Sequence, residues 1–326
     1  MTPDDASPQV PFQFLQGRGG HVLVTGGTGF IGQSLVPALA AQGLRVTVLT
    51  RQDHLPKALR LEPVRAVRSL AEIPDTEAID AVINLAGARI LGIPWTASRR
   101  AELLRSRVDF TRDLVAWMGR RSMPRCLLSA SAIGYYGVQP QGDDRVLTED
   151  APAQPVFMSQ LCQQWEQAAA AAVPLGVQVA CLRFGVVLGH GGALPMLLLP
   201  VRLGLGGSLG GGRQWLAWVH VDDLLRALAH AWQALQREPH AAAPSVYNVT
   251  APEAVQQREF SRIAATVLGR PSFLPTPGWP VRLMLGEQAD LLLEGQRVAP
   301  ARLLREGFVF RYPQLRPALE ALAGDR

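Results

Sequence analysis

Lysine is almost missing from this chain. Lys57 is the only one among 32 basic Lys and Arg residues, so the net charge of +5 and the pI of about 9.6 rest on arginine. Nucleic-acid binding would call for arginines interleaved with aromatics on one element, and no stretch has that pattern, so no nucleic-acid partner is expected. The charge reads as a preference for arginine over lysine plus attraction for an anionic ligand. Cysteine is scarce too. Cys126, Cys162 and Cys181 sit in apolar or helical settings without metal-ligand spacing. That excludes a disulfide framework and a metal site, and predicts buried thiols in a reducing cytoplasm. Long apolar runs are missing: residues 168–182 and 193–205 are broken by Pro, Gly or Arg, so no membrane span is expected. The first twenty residues carry Pro3, Pro8 and Pro11 and lack a basic region followed by an apolar core. They read as a loose extension and not as a signal peptide. With 48% hydrophobic and 18% charged residues, the rest has ample material for a core.

The feature that organises the chain is Val22–Gly32, an apolar run ending in a glycine cluster with a helical pattern directly behind it. Gly26, Gly29 and Gly32 form G-x-x-G-x-x-G, and Gly27, Gly29 and Gly32 also fit G-x-G-x-x-G. Glycine permits the tight strand-to-helix turn, and a missing Cβ lets backbone approach a pyrophosphate. The helix N-terminus, with Phe30 and Ile31 in its first turn, then offers free N–H groups and partial positive charge. The helix pattern of Ile31, Leu35, Leu39 and Ala40 contains Pro37, which removes one backbone hydrogen bond and predicts a kink. It ends at Gly43 before a second strand, Leu44–Leu49. Where that strand ends, about 20 residues past the glycines, a dinucleotide's adenosine ribose is expected. An acid there would select NAD. The chain has Thr50 and Arg51, and a guanidinium fork suits a 2′-phosphate, so NADP(H) is the expected cofactor. The competing reading has Arg51 solvated and Asp53 on the ribose.

Further strands are predicted at Val64–Val67, Ala81–Gly87 (ending, after Leu85, in small Ala86 and Gly87), Arg125–Ser131 and Val177–Phe184. Helices are predicted over 98–118, 157–172 and 222–236, the last capped by Asp222, and strand Val246–Thr250 returns to the main sheet. Strands alternating with helices predict an α/β fold: a Rossmann-type, doubly wound parallel sheet. Ser129, Ser131, Tyr135 and Tyr136 fall at the carboxyl end of the fifth strand, where hydroxyls face the crevice. Gly204–Gly212 holds six glycines and reads as a mobile loop, either an anion nest or a flexible lid. His220 reads as structural, and Glu166, beside Trp165, as a solvated carboxylate or a base. The tail has an amphipathic helix of Phe260, Ile263, Val267 and Leu268 closed by Gly269, then a Pro-rich linker and Leu283–Arg297.

Together, Thr25–Gly32, Asn84–Gly87, Ser129–Gly137, Trp165-Glu166, Arg183-Phe184-Gly185 and Trp218–Asp223 resemble an extended short-chain dehydrogenase/reductase. Leu285-Gly286-Glu287, Leu291–Val298 and Gly307-Phe308 resemble the uncharacterised C-terminal domain of its atypical "epimerase family" subgroup. The resemblance covers about residues 21–320. It implies a nicotinamide cofactor, held by the glycine turn, Thr50, Arg51, Leu85–Gly87, Ser129 and Arg183. It also implies a small-molecule carbonyl or sugar-like substrate and, by analogy, a homodimer. The expected division is an extension over 1–20, an NADP(H)-binding domain over 21–250 with a substrate-lobe segment near 186–220, and a C-terminal region over 251–326 completing that lobe. One departure matters. The superfamily's Tyr-x-x-x-Lys pair would fall on Met158 and Cys162, or in a shifted register on Phe157 and Leu161, and no tyrosine lies four residues before Lys57. Two readings stay open: turnover using Ser131 and Tyr135, with Tyr136 behind them, or a non-catalytic redox sensor or scaffold.

Overall fold

A computed structural model describes residues 20–92, 94–120, 124–237 and 241–324. The extension expected over 1–20 lies outside these, except for Gly20. Seven parallel strands form the central sheet: β1 (His21–Thr25), β2 (Arg45–Leu49), β3 (Val64–Val67), β4 (Ala81–Asn84), β5 (Cys126–Ala132), β6 (Gln178–Phe184) and, much later in the chain, Ser245–Val249. Between the last two the chain forms β7 (Val186–Leu188), β8 (Trp215–Leu216) and β9 (Trp218–His220), so Ser245–Val249 is β10. The sheet order is β10-β6-β5-β4-β1-β2-β3. From β1 the chain winds outward through β2 and β3, then jumps to β4 on the other side and winds outward again. The order therefore reverses between the carboxyl ends of β1 and β4, and crevices open at such a switch point.

Both faces of the sheet are covered, which is why its strands are apolar on both sides. Val22 and Val24 of β1 join a core with Leu35 and Leu39 of α1 (Phe30–Ala41). Leu23, between them, points the other way, into a core with Leu114 and Met118. Helix α1 runs through Pro37, as an α-helix over its whole span. The helix predicted over 98–118 is split into α2 (Ala97–Leu104), a π-turn (Arg105–Asp109) and α3 (Phe110–Met118). Then come α4 (Phe157–Ala170), α5 (Leu194–Arg202), α6 (Val221–Arg237), β11 (Val255–Gln256, antiparallel to β8) and α7 (Gln257–Leu268), which Gly269 closes at φ +60°. The tail adds α8 (Gly278–Leu285), α9 (Asp290–Leu293), α10 (Ala301–Arg305) and α11 (Leu315–Gly324). Leu198 of α5, Phe260 and Ile263 of α7 and Leu315 and Leu319 of α11 build a separate small core. No helix among the described residues is long and apolar enough to cross a membrane. Cys126, Cys162 and Cys181 are buried and free.

Two expectations need correction. Gly204–Gly212 is no free lid: Leu274 N donates to Gly206 O at 3.0 Å, and Gly210 N and Ser208 O bond Thr276. A Cβ on Gly207 would stand 2.0 Å from Leu274 O, so this glycine serves close backbone approach. Asp222 is not the cap of α6, because the helix already starts at Val221. Its neighbour Asp223, wholly buried, is instead the anchor of the tail. It accepts the N–H groups of Arg311 and Tyr312, each at 2.8 Å, and pairs with Arg226. Asp223→Ala should strand both donors and cost about 3 kcal/mol, read from the urea midpoint at constant slope. Asp223→Asn, which keeps one acceptor, should lose less.

Candidate functional site

The switch point is lined by backbone. After β1, Gly26 turns at φ +68°, and a Cβ on it would lie 2.6 Å from Leu85 O, just beyond β4. Gly29 N closes the turn on Gly26 O at 2.9 Å. Gly29 then stands at the N-cap of α1 with no side chain to satisfy the first N–H groups, and no acid sits in the first turn. A Cβ on Gly32 would meet Gly27 O at 2.4 Å. The result is an anion cradle: free N–H groups, a helix dipole and no side chains in the way. Ile31 is half-buried at the start of α1, while the ring of its neighbour Phe30 fits a socket where Cβ atoms on Gly189, Gly191 and Gly192 would come within 2.6–2.8 Å.

At the end of β2, Thr50 is buried and its Oγ1 lies 3.5 Å from that of Thr28 in the glycine turn. Arg51 is exposed. Asp53, the alternative ribose partner, is ion-paired with Arg68 at 2.7 Å. Leu85 and Ala86 lie half-buried beside the turn, with Gly87 exposed next to them. Below them sits a network that the sequence did not reveal. Thr25 donates to Asn84 Oδ1 at 2.6 Å, and Asn84 Nδ2 donates to Thr111 at 2.9 Å and Ser129 at 3.3 Å. Trp165 Nε1 also donates to Thr111, at 3.1 Å. Ser129 is thus a buried rivet between β4 and β5 and does not open to the crevice.

Two residues further along β5, Ser131 is as buried as Ser129, and its Oγ donates to Glu166 Oε1 on α4 at 2.7 Å. Arg183 of β6 grips both oxygens of that carboxylate, each at 2.8 Å. Its Nη1 donates to Tyr136 Oη at 2.9 Å, and Tyr136 donates on to Asn248 at 2.7 Å. Burial disfavours the Arg183 cation, but hydrogen bonds and attraction to Glu166 more than offset this and raise its pKa. Arg183, expected to touch cofactor, is only 3% exposed and its guanidinium faces Glu166. Tyr136, the reserve acid, is sealed in, and burial pushes its pKa up to about 12 despite Arg183. Tyr135 is half-buried, its ring centre 3.3 Å from the Arg183 guanidinium carbon. The spacing of Glu166 and Arg183 gave no sign of their pairing, because they sit on separate elements. His220 is buried, stacked on Tyr312 at 4.1 Å with Nδ1 accepting from Asp222 N, a structural role.

Met158 is buried beside Gly134 and faces a small cavity of about 50 Å³. Trp95 and Phe157 form one wall; Glu287, Asp290 and Gln296 of the tail form the other. Gln296 Nε2 donates to Gly137 O, and Leu147 N to Arg297 O at 2.8 Å, so the tail lies along the loop after β5.

The model of the NAD dependent epimerase/dehydratase family matches residues 22–250, and that of a domain of unknown function, DUF1731, matches residues 276–322. This chain belongs to the NAD dependent epimerase/dehydratase family. It is 40% identical over 306 residues to an epimerase family protein of Staphylococcus saprophyticus, covering 93% of this chain and 99% of that one. Human epimerase family protein SDR39U1 (isoform 2), crystallised with NADPH, superposes with a TM-score of 0.80 at 34% identity, over 94% of this chain and all of that one. A nucleoside-diphosphate sugar epimerase from Corynebacterium glutamicum gives 0.69 at 27% identity, over 94% of this chain and 58% of that one.

Breaking the buried ion pair on one side should be costly. Glu166→Gln leaves Arg183 without its counter-charge and should lower unfolding free energy by about 3–5 kcal/mol. Combining it with Arg183→Met should recover most of that loss in the same denaturation experiment.

Proposed function

We propose that this protein is an NADP(H)-binding oxidoreductase or epimerase acting on a small carbonyl or sugar-like metabolite. The observation that carries this reading is the uncapped N-terminus of α1 at the switch point, with Arg51 exposed beyond β2 while Asp53 is held by Arg68. Gly26, Gly29, Gly32 and the backbone of Phe30 and Ile31 hold the diphosphate. Thr50 and Arg51 take the 2′-phosphate, and Leu85, Ala86 and Gly87 leave room for the nicotinamide half. The NADPH of the human relative supports the same choice. Bound there, NADP(H) would supply hydride-transfer chemistry. Residues 21–250 make up the cofactor domain. Segment 186–220 and residues 251–326 form the substrate lobe, a division supported by the tail side chains at the cavity beside Met158.

The chain's own task is to seat the substrate and move a proton at its oxygen. Ser131 is the relay: it accepts the substrate hydroxyl proton while its own passes to Glu166, along the 2.7 Å bond already made. Tyr135, with its ring over Arg183, is the second group able to donate. The second reading, a non-catalytic NADP(H) sensor or scaffold, draws on Met158 and Cys162, buried apolar groups where the wider superfamily has its tyrosine and lysine.

Arg51→Asp should weaken NADPH binding by at least about tenfold and leave NADH binding nearly unchanged, as read by cofactor fluorescence. Equal losses for both would remove the case for NADP(H). NADPH oxidation in the presence of fractionated metabolites separates enzyme from sensor. Ser131→Ala with Tyr135→Phe should cut it by about a hundredfold while NADPH affinity holds. Tight binding with no oxidation in any fraction would favour the sensor.

A further inference from the structure

Arg107 is a buried cation with no acid beside it. It sits in the π-turn between α2 and α3, is 6% exposed, and is turned inward there together with Val108. Its Nη2 donates to Ala88 O at 2.9 Å, and Nη1 reaches Ser106 Oγ only at 3.4 Å. Its Nε meets no acceptor, and no carboxylate among the described residues pairs with it. On α4 its guanidinium carbon lies 5.3 Å from the centre of the Trp165 ring, and the Cys162 thiol is kept neutral by burial, which pushes its pKa up to about 12; the other charge acting on Arg107 is the Arg99 cation, which opposes it. Burial also pulls the Arg107 pKa down to about 10, so the side chain remains a cation at neutral pH.

A buried charge left in this state is unfavourable unless another group offsets it. The location says which. A Cβ on Gly87 would lie 3.0 Å from the Arg107 guanidinium, so Gly87 lacks a side chain partly to make room for it. Gly87 itself is exposed. The glycine turn touches Leu85 and Ala86, and Arg107 touches Gly87 and Ala88: the two features occupy successive residues of one strand end. A π-turn in an otherwise regular helix is often a device for aiming one side chain at a functional site.

We propose that Arg107 anchors the ribose–phosphate of the nicotinamide half of the bound dinucleotide. It supplies from the π-turn a positive charge that α4, with Met158 and Cys162, does not provide. The inference rests on the NADP(H) reading above and adds a residue to it.

The test compares wild type with Arg107→Met, of similar bulk and no charge, and with Arg107→Lys. Three quantities are measured: NADPH affinity, affinity for 2′,5′-ADP (the adenine half alone), and the melting temperature of the protein without ligand. Arg107→Met should weaken NADPH by about tenfold to a hundredfold, leave 2′,5′-ADP within about twofold, and not lower the melting temperature. Arg107→Lys should restore part of the NADPH affinity. Unchanged NADPH affinity in Arg107→Met overturns the proposal. So does an equal loss for both ligands with a lower melting temperature, which would mean that Arg107 merely pins Ala88. Wild type that binds neither ligand would overturn the NADP(H) reading itself. Wild type that binds both, with Arg107→Met indifferent, would overturn only the role of Arg107.

Discussion

Backbone-to-backbone contact between the glycine turn and the end of β4 is the constraint on which the rest depends. Gly26 presses on Leu85 O so closely that a single Cβ would not fit. Through that contact the uncapped start of α1 and the segment Leu85–Gly87 become two walls of one crevice. The network of Thr25, Asn84, Thr111 and Ser129 lies directly beneath and locks β1, β4, β5 and α3 in register. A rigid floor of buried polar bonds lets an open cradle above it keep its shape without ligand.

Two buried arginines near this crevice are satisfied in opposite ways. Arg183 is saturated: carboxylate, phenol and backbone carbonyl surround it, and Ser131 is drawn into the same cluster. Arg107 has one good carbonyl, a long contact to Ser106 and the face of Trp165, and no carboxylate among the described residues. In a low-dielectric setting the first arrangement fixes geometry, and the second leaves attraction to spare for an incoming anion. On α4, Met158 and Cys162 are buried, while the two buried cations beside that helix come from β6 and from the π-turn.

Much of this was legible in the chain. Strand Val64–Val67 falls at its expected bounds, and the glycine turn, β2 and the closing Gly269 follow from local chemistry that needs no partner. What was not legible depends on distant partners or on a shift of one residue. The apolar spacing over 98–118 fits an unbroken helix equally well, so nothing announced the π-turn or the inward aim of Arg107. Glu166 and Arg183 each stood out singly, but sequence spacing does not tell which buried charges meet across a helix and a strand. Glycines at 204–212 read the same whether a segment must move or must let another backbone come near, and here Leu274 decides it.

The socket for Phe30 has an evolutionary consequence. Its ring fills the space that side chains at Gly189, Gly191 and Gly192 would need, so residues about 160 positions apart in the sequence are interlocked. A larger residue at any of those glycines requires the Phe30 ring to move or shrink, and shrinking Phe30 first removes the ring that packs on all three. Neither single step is neutral. The order in which this lineage could change the two segments is thereby restricted, and variation is channelled to parts of the chain that touch neither.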